Sequence, residues 1–168
     1  MTNDFLKSRT PEQLETIISR HRDAGQMDNP LCVQAMAELS TRTVKGFNLR
    51  LAIAHLVDAA KTETPTDFKQ TAIASGVFDP ETQKWGQWVQ NALNLDRMCI
   101  YCRSHDLPQL TAMLGNAGSK TSDTVTIGFL KGLKAAGVEY DGEPRAVYEE
   151  HRLACIEWAK SSGPDEAL

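Results

Sequence analysis

Apolar positions near the start of the chain recur with the period of an amphipathic helix. The apolar stripe at 14–21 follows the sequence TPEQ at 10–13, which combines a capping threonine, a proline suited to the first helical position and a glutamine that can return a hydrogen bond. Asn29-Pro30 precedes a second stripe, with Cys32 beside it as a small core residue. These signals predict two helices in an N-terminal arm over residues 1–45.

A second group of stripes begins after Phe47. Helical spacing predicts a helix over 49–60, a shorter one over 68–73 that ends before Gly76, and a longer one that carries Trp85 and Trp88 on its apolar side. Three helices with a glycine-containing turn between the second and the third are typical of a helix-turn-helix.

The pattern then changes its period. Apolar residues alternate with their neighbours over 110–114 and again over 125–129, and the turn-rich sequence GNAGSKTSD separates the two stretches. Alternation on both sides of such a turn predicts a two-stranded β-hairpin. A hairpin after a helix-turn-helix would complete a winged helix.

The predicted fold is therefore mainly α with a small β component (α+β). We expect a single domain over 1–168, with a winged helix-turn-helix core at 46–130 between the arm and C-terminal helices at 131–168. One of these helices is expected from about 144 to 161.

Composition limits the choice of partner. The chain has 18 Lys and Arg against 22 Asp and Glu, a net charge of −4, so it lacks the strongly basic character of most nucleic-acid-binding domains. Neither a long apolar run nor a signal-peptide pattern is present, and we expect a bacterial cytoplasmic protein without membrane contact. Its cysteines would then stay reduced.

Several segments carry a resemblance to a known family. The order LETIISRHRDAG, TPTDFKQTAIASG, DLPQLTAML, TIGFLKGLKAAGV and EEHRLACIEWAK resembles a family of largely uncharacterised bacterial proteins with a winged-helix-like core. Some members are labelled as hydrolases that remove ADP-ribose from dinitrogen reductase. The resemblance covers nearly the whole chain and rests on spaced apolar residues, and the sequence has no clustered acidic metal ligands of the kind such hydrolases use.

A fainter likeness is to the DNA-binding half of O6-alkylguanine alkyltransferases and of alkyltransferase-like proteins. In those proteins a Pro-Cys-His-Arg-Val strand follows the helix-turn-helix. If Pro108 matches that proline, Gln109 and Leu110 replace the nucleophile and its histidine, which excludes alkyl transfer there. Placing Cys102 and Arg103 at the motif instead loses both the proline and the histidine.

The outer side of the predicted recognition helix is rich in amides, which can bond the edges of adenine or simply face water. Lys120, at the tip of the predicted hairpin, could contact phosphate. The candidate DNA-binding residues are Gln83, Lys84, Gln87, Gln90, Asn91, Asn94 and Lys120.

Cysteine spacing raises a separate hypothesis. Cys99 and Cys102 have the spacing of a zinc-binding pair, and His151 and Cys155 would share one helix face as a second pair. The alternatives are packing in the core and a redox pair. His105 is a less favoured further ligand.

The leading interpretation is a non-catalytic module that binds DNA or a protein partner and has no cofactor except, in one alternative, zinc. The second is a protein-interaction or oligomerisation protein, for instance a homodimer, without nucleic-acid binding. The third is a vestigial binder of alkyl lesions or an enzyme of the hydrolase-labelled group. His21 and His55 fall on or beside apolar stripes, which predicts core histidines, and the three tryptophans are expected to pack in the core.

Overall fold

The computed structural model describes residues 2–42, 47–86, 95–115 and 123–161, and these ranges are mainly helical. Eight α-helices and one short 3₁₀ helix lie in them. The elements are α1 (Thr2–Lys7), α2 (Pro11–Asp23), α3 (Pro30–Ser40), α4 (Leu49–Lys61), α5 (Phe68–Ala74), α6 (Leu95–Ser104), the 3₁₀ helix (Leu110–Met113), α7 (Asp123–Ala135) and α8 (Pro144–Ser161).

Side-chain caps start the helices where the sequence predicts. At α2 the Gln13 amide N–H donates to Thr10 Oγ1 at 3.3 Å, and the Thr10 amide N–H donates to Gln13 Oε1 at 3.0 Å, which forms the expected capping box. Asn29 caps α3, Asn48 caps α4 and Asp67 caps α5. The predicted helices α2, α3, α4, α5 and α8 are confirmed.

Two apolar clusters hold the described helices together. The arm core is formed by residues of α1, α2, α3 and the loop after α2, together with Cys99 and Ile100 of α6 and Ala136 after α7. The main core is formed by residues of α4 to α8 and of the 3₁₀ helix. Buried members of the arm core are Leu6, Leu14, Ile18, Met27, Cys32, Ala35, Met36, Leu39, Cys99, Ile100 and Ala136. Central members of the main core are Ile53, Leu56, Met98, Leu110, Met113, Leu133 and Tyr148.

Helix α6 forms a wall shared by both cores, and it carries a buried arginine. Arg97 is 2% exposed, and its two terminal nitrogens donate to the carbonyls of Arg42 and Leu39 at 3.0 and 3.1 Å. The Glu15 carboxylate lies 3.9 Å from Arg97 Nε. Burial lowers the pKa of Arg97, and the negative charge of Glu15 opposes this shift. Arg97 thus ties α2 and the end of α3 to α6.

The prediction of a β-hairpin is wrong for the described residues. Residues 110–113 form the 3₁₀ helix, and 125–129 belong to α7. Val125, Phe129 and Leu133 lie four positions apart, which is helical spacing, and all three are buried. The 3₁₀ segment is buried on every side, so its alternation does not separate an inner face from an outer one.

The predicted tryptophan-bearing helix is not observed over its first residues. Residues 79–86 form a turn followed by residues without regular secondary structure, and Asp79 accepts hydrogen bonds from the Glu81 amide and the Thr82 hydroxyl. The prediction that Trp85 packs in the core is wrong: its side chain is 36% exposed and meets the edge of Phe78, with ring centroids 5.3 Å apart. Trp88 lies outside the described residues, and Trp158 packs against the main core as expected.

Two further contacts join the 3₁₀ segment to its neighbours. Thr66 and Leu114 form an isolated parallel β-bridge, and the buried Tyr148 hydroxyl donates to the Leu114 carbonyl at 2.8 Å. In the described part of the chain, no helix combines the length and the apolar character needed to cross a bilayer.

Candidate functional site

The predicted DNA-binding residues are only partly described. Gln83 and Lys84 are exposed and lie in the non-helical stretch before 87, so they do not stand on a helix. The other predicted contacts lie outside the described residues: Gln87, Gln90, Asn91, Asn94 and Lys120.

The predicted zinc ligands are divided between α6 and α8. Cys99, Cys102 and Cys155 are completely buried, and Cys99 Sγ forms a hydrogen bond with Thr111 Oγ1 at 3.1 Å. The His151 ring contacts the Phe129 ring, with centroids 5.3 Å apart. Across 2–42, 47–86, 95–115 and 123–161, no three His, Cys, Asp or Glu side chains are close enough together to hold a metal ion.

The surroundings of these thiols favour the protonated form. Burial raises the pKa of Cys99 far above its usual range and raises those of Cys102 and Cys155 to about 12. Zinc binding and redox attack both use the thiolate. The burial of all three side chains is that of cysteines packed in an apolar core, and the zinc site stays a prediction. His105 is exposed, and its ring stacks on Tyr101 at 4.0 Å.

A half-buried histidine forms a polar pair that the sequence analysis did not identify. His55 Nε2 lies 2.7 Å from Thr66 Oγ1 at the edge of a shallow groove of about 280 Å³ between α4 and the start of α5. Burial lowers the pKa of His55, while the charges of Asp58 and Asp67 oppose the shift. The pair fastens the loop at 62–67 onto α4. His21 is also half-buried, and its Nδ1 contacts the Ile17 carbonyl at 2.9 Å.

A large concave surface lies where the arm meets the rest of the chain. This surface, the junction groove, has a volume of about 780 Å³. It is lined by Arg22, Gly25, Met27, Asp28, Arg103, Lys134, Gly137, Val138, Glu139 and Tyr140.

Two helix ends shape the junction groove. Gly25 follows α2 and Gly137 follows α7, with φ values of 66° and 67°, a conformation that favours glycine. A Cβ atom at Gly137 would collide with the Met27 side chain, so the loop after α2 packs directly on the loop after α7. The groove is the space left beside this contact.

Arginines close the walls of the groove. Arg103 donates to Asp28 Oδ1 at 2.7 Å and to the Gly137 carbonyl at 3.0 Å, and Arg22 donates to the Ala135 carbonyl at 3.4 Å. The bonds to Ala135 and Gly137 satisfy carbonyl groups in the last turn of α7 and just after it, where the helix supplies no partner. Tyr140 is 44% exposed at the rim.

Sequence reasoning missed the junction groove because its residues come from three distant segments. Arg22 and Ala135 are 113 positions apart. The one local signal was the pair of glycines that follow α2 and α7, each of which marks a helix end.

Comparisons with protein-family models, curated proteins and solved structures give no match to this chain. The resemblances to the bacterial family and to the alkyltransferase-like proteins therefore stay predictions.

Proposed function

We propose that this chain is a non-catalytic helical module that binds a segment of another protein in the junction groove. The observation that carries the proposal is the groove itself, which lies between the arm and the main core and has an exposed tyrosine at its rim. Its volume of about 780 Å³ falls within the range of ligand-binding clefts.

The chemistry of the lining supports a protein partner. Tyrosine and arginine are enriched among the residues that dominate protein interfaces, because they combine a large contact area with hydrogen bonding. Val138 adds apolar surface, and the two arginines are held in place by the bonds described above. The groove thus combines two arginines fixed by hydrogen bonds with the exposed side chains of Lys134 and Tyr140 at its rim.

Selection from a library of displayed random peptides tests this proposal. We expect peptides that bind the immobilised protein with micromolar affinity and that lose at least about tenfold in affinity on Tyr140→Ala, the expected size of a hot-spot loss. Lys134→Ala should cause a smaller loss. Both side chains are exposed, so neither change should disturb folding.

The matched control is Lys131→Ala, one turn earlier on α7, which is exposed and does not line the groove. Binding that is equal in the wild type, Tyr140→Ala and Lys131→Ala would overturn the proposal, as would a selection that recovers no peptide.

We also propose a second candidate function, DNA binding in the bacterial cytoplasm. It is supported by α4 and α5, which occupy the positions expected for the first two helices of a helix-turn-helix. A gel-shift assay with random duplex DNA over a salt series tests it: retention that weakens steeply with salt supports DNA binding, and no retention at low salt removes it.

A further inference from the structure

A second groove, the α1–α2 groove, lies on the outer side of the arm. It has a volume of about 260 Å³ and shares no lining residue with the junction groove. Two of its residues are arginines, and none of the described residues that line it is acidic. Its lining is Phe5, Arg9, Gln13, Thr16, Ile17 and Arg20.

The α1–α2 groove combines exposed apolar surface with unneutralised positive charge. Phe5 is 45% exposed, and the Arg9 guanidinium lies over its ring at 4.1 Å. Arg20 is exposed in the last turn of α2. Within the described ranges neither arginine forms an ion pair with an acidic side chain. Such a surface favours an occupant that has carboxylates beside an apolar side chain.

The outer face of α8 has that complementary chemistry. Glu150, Leu153 and Glu157 follow one another at helical spacing, and all three are exposed, Leu153 to 51%. Neither glutamate has an ion-pair partner among the residues that the structure describes. The two glutamate positions lie roughly 10 Å apart along the helix axis, on either side of the leucine. We call these three residues the α8 stripe.

We propose that the chain self-associates, with the α8 stripe of one copy seated in the α1–α2 groove of another. Leu153 would pack against Phe5 and Ile17, while Glu150 and Glu157 would pair with Arg9 and Arg20. Each copy contains both surfaces, so two copies can exchange the contact reciprocally or chains can join head to tail.

The groove is small, so the self-association is weak. A stable interface buries about 800 Å² on each partner, and a groove of this size covers only part of that area. We therefore expect a monomer at low concentration and association in the range of tens to hundreds of micromolar. Because exposed ion pairs contribute, added salt should weaken the association.

Sedimentation velocity over a concentration series tests the proposal. The weight-average mass should rise above the 18.6 kDa of one chain as concentration increases. Arg20→Glu and Glu150→Arg should each weaken association by about five- to tenfold, because each replaces an attraction by a like-charge contact. An equimolar mixture of the two variants should associate again, since each supplies the surface that the other needs.

An apolar pair provides the matched control. Leu153→Ala should weaken self-association, whereas Ile127→Ala, at a side chain that is 52% exposed on α7, should leave it unchanged. Circular dichroism of every variant should match the wild type, since all of these side chains are exposed. A monomer at all concentrations overturns the proposal. So does association that survives both charge reversals, which would indicate another interface.

Discussion

The arm core and the main core are both apolar, yet they are completed in different ways. The main core is closed by a neutral hydrogen bond from Tyr148 to the Leu114 carbonyl and by the edge contact of Tyr148 with Phe129. The arm core is joined to it through the buried cation Arg97, whose hydrogen bonds end on carbonyls of the α3 region. We call the hydrogen bonds of Arg97 to the Leu39 and Arg42 carbonyls the joint. Hydrogen bonds from a charged donor contribute more to stability than neutral ones, so substitution at the joint should lower the free energy of unfolding more than loss of the Tyr148 hydrogen bond.

Arg97→Ala should have the largest effect of any change in this comparison. It deprives the carbonyls of Leu39 and Arg42 of a charged donor and opens space beside the arm core. We expect the free energy of unfolding to fall by about 3–5 kcal/mol, because the change leaves a cavity and two carbonyl groups without their charged donor. Urea denaturation followed by circular dichroism measures it.

Arg103→Ala is the control for Arg97→Ala. Arg103 also donates to a carbonyl, but its side chain is 27% exposed, and we expect a loss of about 1 kcal/mol. If Arg97→Ala and Arg103→Ala lower the free energy of unfolding equally, the deeper burial of Arg97 does not make its hydrogen bonds more important for stability.

Tyr148→Phe tests the contribution of the neutral hydrogen bond in the main core. The ring contact with Phe129 is retained, while the buried Leu114 carbonyl loses its donor. We expect a loss of about 1–3 kcal/mol, measured by the same denaturation assay. Tyr140→Phe, at an exposed position, should change stability by less than about 0.5 kcal/mol. A Tyr148→Phe loss larger than that of Arg97→Ala would reverse the ranking.

Two glycines of α7 offer a matched pair on one helix. A Cβ atom at Gly132 would lie 2.6 Å from Cys99 Sγ, whereas one at Gly128 meets nothing within 4 Å. Gly132→Ala should therefore destabilise the protein by about 1–3 kcal/mol through overpacking. Gly128→Ala should stabilise it by up to about 1 kcal/mol, because alanine favours the helix. Thermal unfolding of both variants checks the signs, and shifts in the same direction would contradict them.

The pH dependence should be the smallest effect. Burial lowers the pKa of both His55 and His151. The folded state therefore binds protons less readily than the unfolded state. Stability should therefore fall as the pH drops from about 7.5 through the usual histidine pKa of about 6.5. Urea midpoints at a series of pH values measure it.

Two substitutions identify the source of that pH dependence. His55→Gln and His151→Gln should each flatten the profile, because each removes one of the two histidines whose pKa burial lowers. Stability that rises on acidification and does not respond to either substitution would contradict the assignment.

Helix caps and long apolar stripes were sufficient to predict five of the helices. Their signals are local, as the capping box at Thr10 and Gln13 shows. The hairpin prediction failed because 125–129 is too short to separate the two periods, and Phe129 and Leu133 continue the stripe at helical spacing. A longer window would have favoured the helix.

The joint and the grooves could not be predicted, since they depend on contacts between distant segments. Arg97 reads as a surface residue in the sequence, and only the position of the α3 carbonyls makes its burial tolerable. The partner of His55 was missed for the same reason, because Thr66 approaches it through the turn between two helices.

The contact of Met27 with Gly137 has a consequence for anyone who transplants this arm. The methionine occupies the volume that any larger residue at position 137 would need, so this packing of the arm requires glycine there. A chimera that carries residues 2–42 onto another scaffold would therefore have to include the α7–α8 loop, because that loop supplies the glycine on which Met27 packs.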